Sequence, residues 1–166
     1  MSERASVFYC WQSDRPPQFN RNLIQEALAQ AAATANAGVE VDVDRDTLNV
    51  AGAVEITRTI LAKLSKADLV VADLTTIGLA EGRVVPNPNV LFELGYALAQ
   101  VGEERLVVVV NTTYGSPEDL PFDLRHRRVL TYACGANKDS ERAKARLSAA
   151  FEEILRDVLG GSGLKR

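Results

Sequence analysis

A glutamate on the apolar side of a helix is the residue of this sequence whose position most favours chemistry. Glu93 lies four residues before Ala97, so the helical repeat places it on the flank of the stripe that faces the core. An unpaired carboxylate there normally acquires a shifted pKa, a partner or a function. Gly95 favours the same interpretation, because a glycine within a helix costs about 1 kcal/mol and is explained if backbone or ligand approaches closely. The structural alternative is that Glu93 faces solvent or pairs with Arg58 or Arg105.

Further candidates follow the ends of the predicted strands. In parallel sheets covered by helices, ligands bind beyond the carboxyl ends of the strands. The candidate binding residues at these ends are Trp11, Gln12, Ser13, Asp46, Asp73, Asn87 and Asn89. An indole at a strand end can stack on a base or a nicotinamide ring, although such a side chain is more often part of the core. Acidic residues after strands also cap turns, which is the structural alternative for Asp46 and Asp73.

The elements that must position these residues alternate between strand and helix. Short apolar or alternating runs predict strands over residues 5–11, 39–43, 68–74, 105–110 and 129–133. Apolar stripes predict helices over residues 19–31, 56–66, 88–98 and 139–158, and residues 75–87 are predicted to be a long loop. Asn87 is a suitable N-cap, and Pro88 suits the first helical position. The alternation predicts an α/β, flavodoxin-like three-layer sandwich around a central, mostly parallel five-stranded sheet.

Length and composition predict one domain over residues 1–159, followed by a flexible tail over residues 160–166. A chain of 166 residues can bury a core without disulfide or metal staples. The net charge of −3 and the lack of long basic runs make nucleic acid an unfavoured partner. No apolar run approaches the roughly 20 residues of a membrane span, so we expect a soluble, cytoplasmic protein without membrane contact.

Several common kinds of site are not supported by the sequence. Cys10 and Cys134 lie far apart without metal-ligand spacing, so no metal site is predicted. The only histidine, His126, lies in an arginine-rich segment, which disfavours a nucleophile–histidine relay. The sequence contains no phosphate-binding G-x-x-x-x-G-K-[ST] loop and no G-x-G-x-x-G after the first strand.

Three stretches of the chain, over residues 7–14, 44–73 and 86–97, resemble bacterial TIR-like (Toll/interleukin-1 receptor-like) domains. The resemblance covers nearly the whole chain, and its most specific part is PNPNVLFELGYA, which ends at Ala97. In TIR domains that cleave NAD, the glutamate of the corresponding helix is catalytic, so the resemblance implies that role for Glu93. Asn87 and Asn89 stand in the region where the commoner pattern has a serine, a tryptophan and a cysteine.

The resemblance implies an NAD⁺ glycohydrolase that releases nicotinamide and linear or cyclic ADP-ribose, as an antiphage defence effector activated by self-assembly. It implies that Glu93 contacts the ribose, that Trp11 stacks, and that hydroxyl and amide groups are bound by Ser13, Asp46, Asn87 and Asn89. NAD is a substrate in this reaction, so no bound cofactor is expected. The implied partners are a second TIR domain, whose site the loop over residues 47–53 completes, and a sensor protein or domain.

Two other functions stay open. The Glu-Leu-Gly-Tyr-Ala run that begins at Glu93 is also similar to nucleoside 2-deoxyribosyltransferases, in which a glutamate of a comparable helix attacks the anomeric carbon of the sugar. The remaining alternative is a non-catalytic module that binds a nucleotide or serves as a TIR scaffold, because a fold does not by itself imply a function.

Overall fold

The computed structural model of the chain describes residues 3–35, 39–44 and 53–160. The strands are β1 (Glu3–Cys10), β2 (Val39–Asp44), β3 (Leu69–Asp73), β4 (Gly78–Ala80), β5 (Arg83–Val85), β6 (Leu106–Asn111) and β7 (Val129–Tyr132). The α-helices are α1 (Arg21–Thr34), α2 (Ala53–Leu64), α3 (Pro88–Val101), α4 (Phe122–Arg125) and α5 (Ser140–Gly160). No helix among the described residues has both the length and the apolar character that crossing a membrane requires.

The central sheet has five strands in the order β2-β1-β3-β6-β7, and all of its pairings are parallel. Every residue of β3 and β6 is buried, as expected for strands that helices cover on both sides. This architecture confirms the predicted flavodoxin-like sandwich. The chain leaves β1 to one side for β2 and returns to its other side for β3, so the topological switch point lies between β1 and β3.

The sheet separates two apolar cores, because successive side chains of a strand point to opposite faces. Helices α1 and α5 cover one face, where Val7 and Tyr9 of β1 are buried. Helices α2 and α3 cover the other face, where Phe8 and Cys10 of β1 are buried. These are the α1/α5 face and the α2/α3 face below.

The predicted loop over residues 75–87 contains a short antiparallel hairpin of β4 and β5. Glu81 and Gly82 form its turn, with φ of 51° and 76°, and positive φ at both central residues fits the right-handed twist of a hairpin. Three-residue strands are too short to show alternation in sequence, so this part of the loop prediction was wrong. The helix predicted from residue 19 begins at Arg21, because the chain turns at Pro16 before entering it.

Two predictions concern residues about which the structure is silent. Asp46, the candidate binding residue after β2, lies outside the described residues, as do residues 47–52 of the loop over residues 47–53 that is expected to reach a neighbouring domain. At the other end, α5 runs to Gly160, and residues 161–166 of the predicted tail also lie outside the described part.

Candidate functional site

A pocket of about 300 Å³ opens at the carboxyl end of β1, against α2 and α3. It brings together six of the eight predicted site residues, which are Trp11, Gln12, Ser13, Asn87, Asn89 and Glu93. The rest of the wall is formed by Phe8, Tyr9, Ile56 and Ile60. The pocket therefore combines one carboxylate, several amide and hydroxyl groups and an apolar wall beside the switch point of the sheet, which is where open α/β folds bind ligands.

Glu93 is half-buried on α3, with its carboxylate in the pocket wall. Burial raises the pKa of this carboxyl above its usual value, and the nearby Cys10 thiol opposes the rise. Pairing with Arg58 does not occur, because Arg58 Nη1 lies 3.7 Å from Glu55 Oε2 on the exposed side of α2. Glu93 thus carries its charge at the pocket without a described cationic partner.

Asn87 fixes the start of α3 and joins it to the loop after β1. Its Oδ1 accepts hydrogen bonds from the backbone N–H groups of Asn89 and Val90, at 2.9 and 3.1 Å, which confirms the predicted N-cap. Its Nδ2 donates to Asp14 Oδ2 at 2.6 Å. Because Pro88 occupies the first helical position, no backbone donor is lost there. The first turn of α3, and with it Glu93, is thereby held against the end of β1.

Gln12 and Trp11 shape the loop that follows β1. Gln12 is buried, and its Oε1 accepts from the backbone N–H groups of Asp14 and Arg15 at 2.8 and 3.1 Å. Trp11 is half-buried, and the Arg21 guanidinium lies 4.8 Å from the centroid of its ring. Gln12 therefore uses its carbonyl to fold the loop. Trp11 is among the residues that line the pocket, but its indole packs against the α1/α5 core beside the Arg21 cation.

Asp73 is not part of this pocket. It is fully buried at the end of β3, where its carboxylate accepts from Thr75 N at 2.9 Å and from Asn20 Nδ2 at 3.3 Å. Alternation along β3 places Ala72 on the α2/α3 face, so Asp73 points to the α1/α5 face. Burial raises the pKa of the Asp73 carboxyl, and the hydrogen bonds from Thr75 and Asn20 oppose the rise. The sequence grouped Asp73 with the other strand-end residues, but the pleat of the sheet separates it from them.

No other part of the described chain approaches Gly95 closely, so the backbone approach that the sequence suggested is not found, and the approach of a ligand stays a prediction. Gly95 is exposed, and a methyl group added there would meet nothing within 4 Å. The residues that sequence reasoning missed are those of the apolar wall. Their signal was present, because alternation along β1 puts Phe8 and Cys10 on one face, and the stripe of α2 contains Ile56 and Ile60.

A five-stranded parallel sheet of this order defines a flavodoxin-like α/β domain, and its polar pocket lies where domains of this architecture bind small ligands. Residues 6–121, more than half of the chain, match the family described as the TIR domain of the CAP12/Pycsar effector protein. The chain belongs to this family, which confirms the TIR-like resemblance, and it is a TIR module of antiphage defence.

Comparison with solved structures gives distant matches, and no curated protein matches the chain. The flavodiiron core Flv1 from Synechocystis sp. PCC6803 is 12% identical, with a TM-score of 0.57 over 97% of this chain and 37% of that chain. This chain therefore spans little more than a third of that structure. The 2-desoxiribosyltransferase from Leishmania mexicana is 19% identical, with a TM-score of 0.44 over 87% of this chain and 97% of that one. The first match supports the fold, and neither bears on function.

Proposed function

We propose that this domain is an NAD⁺ glycohydrolase whose catalytic group is Glu93. The observation that carries the proposal is the half-buried Glu93 carboxylate, which lies among amide and aromatic side chains in the pocket at the end of β1. In the reaction, the bond between ribose C1′ and the nicotinamide nitrogen breaks, and its electron pair neutralises the pyridinium. Water then adds to C1′ and loses a proton, giving ADP-ribose.

One carboxylate is sufficient for this chemistry. Nicotinamide departs as a neutral molecule, so no strong acid has to protonate the leaving group, and the main demand is to stabilise positive charge on the ribose. A desolvated carboxylate interacts with that charge more strongly than one in water. His126 is remote from this site, because it precedes β7 at the amino edge of the sheet, whereas the pocket lies at the carboxyl edge.

The size and lining of the pocket favour a nucleoside-sized part of the ligand. Its volume of about 300 Å³ lies at the lower end of small-molecule sites, so a dinucleotide would extend beyond it. Phe8 provides an aromatic side chain on the α2/α3 face of the pocket, Trp11 also lines it and stays the proposed stacking residue, and the groups of Ser13, Asn87 and Asn89 suit ribose hydroxyls or the carboxamide. NAD⁺ is the substrate in this proposal and no resident cofactor is invoked.

Self-assembly and a sensor partner belong to the proposal as well. The family is one of defence effectors, which favours an enzyme that is silent until a signal assembles it. Pocket residues Ser13 and Asn89 are exposed, so the site described for one chain is partly open. We therefore propose that TIR–TIR contacts raise the activity and that a partner protein or domain controls those contacts.

The test is nicotinamide release from NAD⁺ by concentrated, crowded protein, with assembly followed by light scattering. Glu93→Gln is compared with Glu153→Gln, which removes an exposed carboxylate from α5. We expect Glu93→Gln to lower the rate on the order of 10³-fold, as when a group that stabilises transition-state charge is removed, and Glu153→Gln to leave it unchanged. Chromatography of the product separates linear from cyclic ADP-ribose.

The other functions make different predictions in the same assay. Thymidine and deoxyadenosine are offered as rival substrates, and their Glu93-dependent cleavage without nicotinamide release would replace the proposal with a deoxyribosyltransferase-like reaction. Assembled protein that cleaves none of these substrates would contradict both enzymes and favour a scaffold. Nicotinamide release that persists in Glu93→Gln would remove Glu93 from the mechanism.

A further inference from the structure

The pocket at the end of β1 has two chemically different sides. Among the described residues, α2 contributes only Ile56 and Ile60 to its lining. Helix α3 and its cap contribute only Asn87, Asn89 and Glu93. The polar side can bind the hydroxyl groups and the positive charge of a sugar, whereas the isoleucine side chains offer neither a charge nor a hydrogen bond. The pocket therefore suits a ligand that is polar at one end and apolar at the other.

The apolar side of the pocket is continued by Phe8 of β1. Alternation along β1 points the Phe8 side chain to the α2/α3 face, where it is 5% exposed and Ile60 packs against the same core. Ile56 and Ile60 are four residues apart, so they lie one turn from each other on one face of α2. Both are half-buried, so the fold supports them while a ligand can still reach them. Phe8, Ile56 and Ile60 are the α2 wall below.

We propose that the α2 wall is the subsite of the leaving base and that its lack of polar groups contributes to catalysis. This inference rests on the proposed glycohydrolase function. When the bond between ribose C1′ and the nicotinamide nitrogen breaks, its electron pair goes to the nitrogen, and the positive charge passes from the pyridinium ring to the ribose. The base therefore loses its charge at the α2 wall, while the ribose gains charge on the side of Glu93.

The two sides of the pocket favour this shift of charge together. An apolar surface disfavours the charged pyridinium of bound NAD⁺ but accommodates neutral nicotinamide. The Glu93 carboxylate attracts the positive charge that develops on the ribose. Both effects are larger in the transition state than in the bound substrate, and only such differences raise kcat. A planar ring has two faces, so contact with the α2 wall leaves the other face free for Trp11, the stacking residue proposed above.

The first test is the binding of nicotinamide alone, followed through the ¹³C NMR signals of the isoleucine δ1 methyl groups. The signals of Ile56 and Ile60 should shift during the titration, and Ile56→Leu and Ile60→Leu assign them by their loss. The signals of Ile24 and Ile154 are internal controls and should not shift, because these residues are buried on the α1/α5 face.

A pair of variants then tests whether the apolar character of the α2 wall matters. Ile56→Leu and Ile56→Gln are close in size and differ in polarity. We expect Ile56→Gln to weaken nicotinamide binding on the order of fivefold and Ile56→Leu to leave it within about twofold. Ala62→Gln is the matched control, because it adds the same amide at an exposed position of α2. Urea unfolding verifies that each variant is folded, and Ile56→Thr replaces Ile56→Gln if that variant is not.

The second test is the steady-state kinetics of NAD⁺ cleavage by the assembled protein. The amide of Ile56→Gln can solvate the pyridinium of bound NAD⁺, so kcat should fall on the order of tenfold without a rise in KM. Product inhibition separates this effect from a general disturbance of the pocket. Nicotinamide should inhibit Ile56→Gln less than the unaltered protein, whereas ADP-ribose should inhibit both equally. A merely structural role of Ile56 would weaken both inhibitors.

The outcomes separate this inference from the proposed function. Nicotinamide binding that shifts the Ile56 and Ile60 signals and is weakened in Ile56→Gln supports the base subsite even if the protein cleaves no NAD⁺, which would refute the glycohydrolase. Signals that do not move, or equal nicotinamide affinities of folded Ile56→Gln and Ile56→Leu, would overturn the subsite even if Glu93-dependent cleavage is found. An unchanged kcat in Ile56→Gln would overturn the contribution of the α2 wall to catalysis.

Discussion

Glu93 and Asp73 are two carboxylates at the same edge of one sheet, on opposite faces. Both are desolvated, and burial raises the pKa of each. Asp73 is fully enclosed and accepts hydrogen bonds from Thr75 and Asn20, whereas Glu93 is half-buried and borders a pocket. Two carboxylates whose pKa is raised by burial therefore have different surroundings, one enclosed by protein donors and one beside a pocket.

The difference lies in the number of protein partners that each carboxylate has. A buried acid whose lone pairs are occupied by protein donors joins elements together, because those donors would be unsatisfied without it. An acid with few partners and an opening to solvent keeps its charge for a ligand. The number of hydrogen-bond partners, more than the direction of the pKa shift, distinguishes Asp73 from Glu93. The following variants test this difference.

The largest expected difference is in NAD⁺ cleavage by Glu93→Gln and Asp73→Asn. We expect the first to lose on the order of 10³-fold in rate, since it removes charge from the reacting centre, and the second to keep its rate per folded molecule within about twofold. Nicotinamide release is measured on protein whose folding is verified by circular dichroism. A folded Asp73→Asn as inactive as Glu93→Gln would return Asp73 to the binding site that the sequence suggested.

The next largest effect is expected on the stability of the fold, at the buried side-chain amide of Asn111, which lies on the same side of the sheet as Asp73. The Asn111 Nδ2 donates to Cys134 O at 2.9 Å and to Phe19 O at 3.2 Å, and its Oδ1 accepts from Cys134 N at 3.1 Å. Asn111→Ala removes the partner of the buried Cys134 N–H and C=O, whereas Phe19 O keeps the hydrogen bond from the Tyr132 hydroxyl at 2.9 Å. The variant should lower the free energy of unfolding by about 3 kcal/mol. Urea unfolding measures it, with exposed Thr113→Ala as control, and equal values for both variants would disprove the account.

A smaller loss is expected at the cap of the helix that carries Glu93. Asn87→Ala removes the acceptor of two backbone N–H groups and should lower the free energy of unfolding by about 1 kcal/mol. Asn87→Ser keeps a capping oxygen but loses the bond to Asp14, so it should recover most of that loss. Thermal and urea unfolding give the comparison, and a serine variant as unstable as the alanine variant would show that the Asp14 bond dominates.

The smallest expected effect is a gain at Gly95. Because the position is helical, exposed and open, Gly95→Ala should raise the free energy of unfolding by up to about 1 kcal/mol. Gly82→Ala is the contrasting variant and should destabilise, since φ of 76° strains any side chain there. A Gly95→Ala protein that is stable but inactive would show that a ligand or a second chain approaches this glycine.

Much of the fold could be predicted because its signals are local. The alternation of strands and helices, the continuous apolar run that became β6 and the cap at Asn87 all depend on residues within one or two turns of each other. The position of Glu93 on the flank of α3 followed from the helical repeat in the same way. The hairpin of β4 and β5 was missed because its strands are shorter than the alternation that would reveal them.

The sequence by itself determined the order of the elements, the face that each helix buries and the residues that follow each strand. Only the tertiary structure decided that Asp73 faces away from the pocket and that Ile56 and Ile60 of α2 form part of its wall. Periodicity depends on neighbours along the chain, whereas these contacts join residues of separate elements. Such contacts depend on the crossovers and on the pleat of the sheet, which fix the relative positions of the elements only once the whole domain has packed.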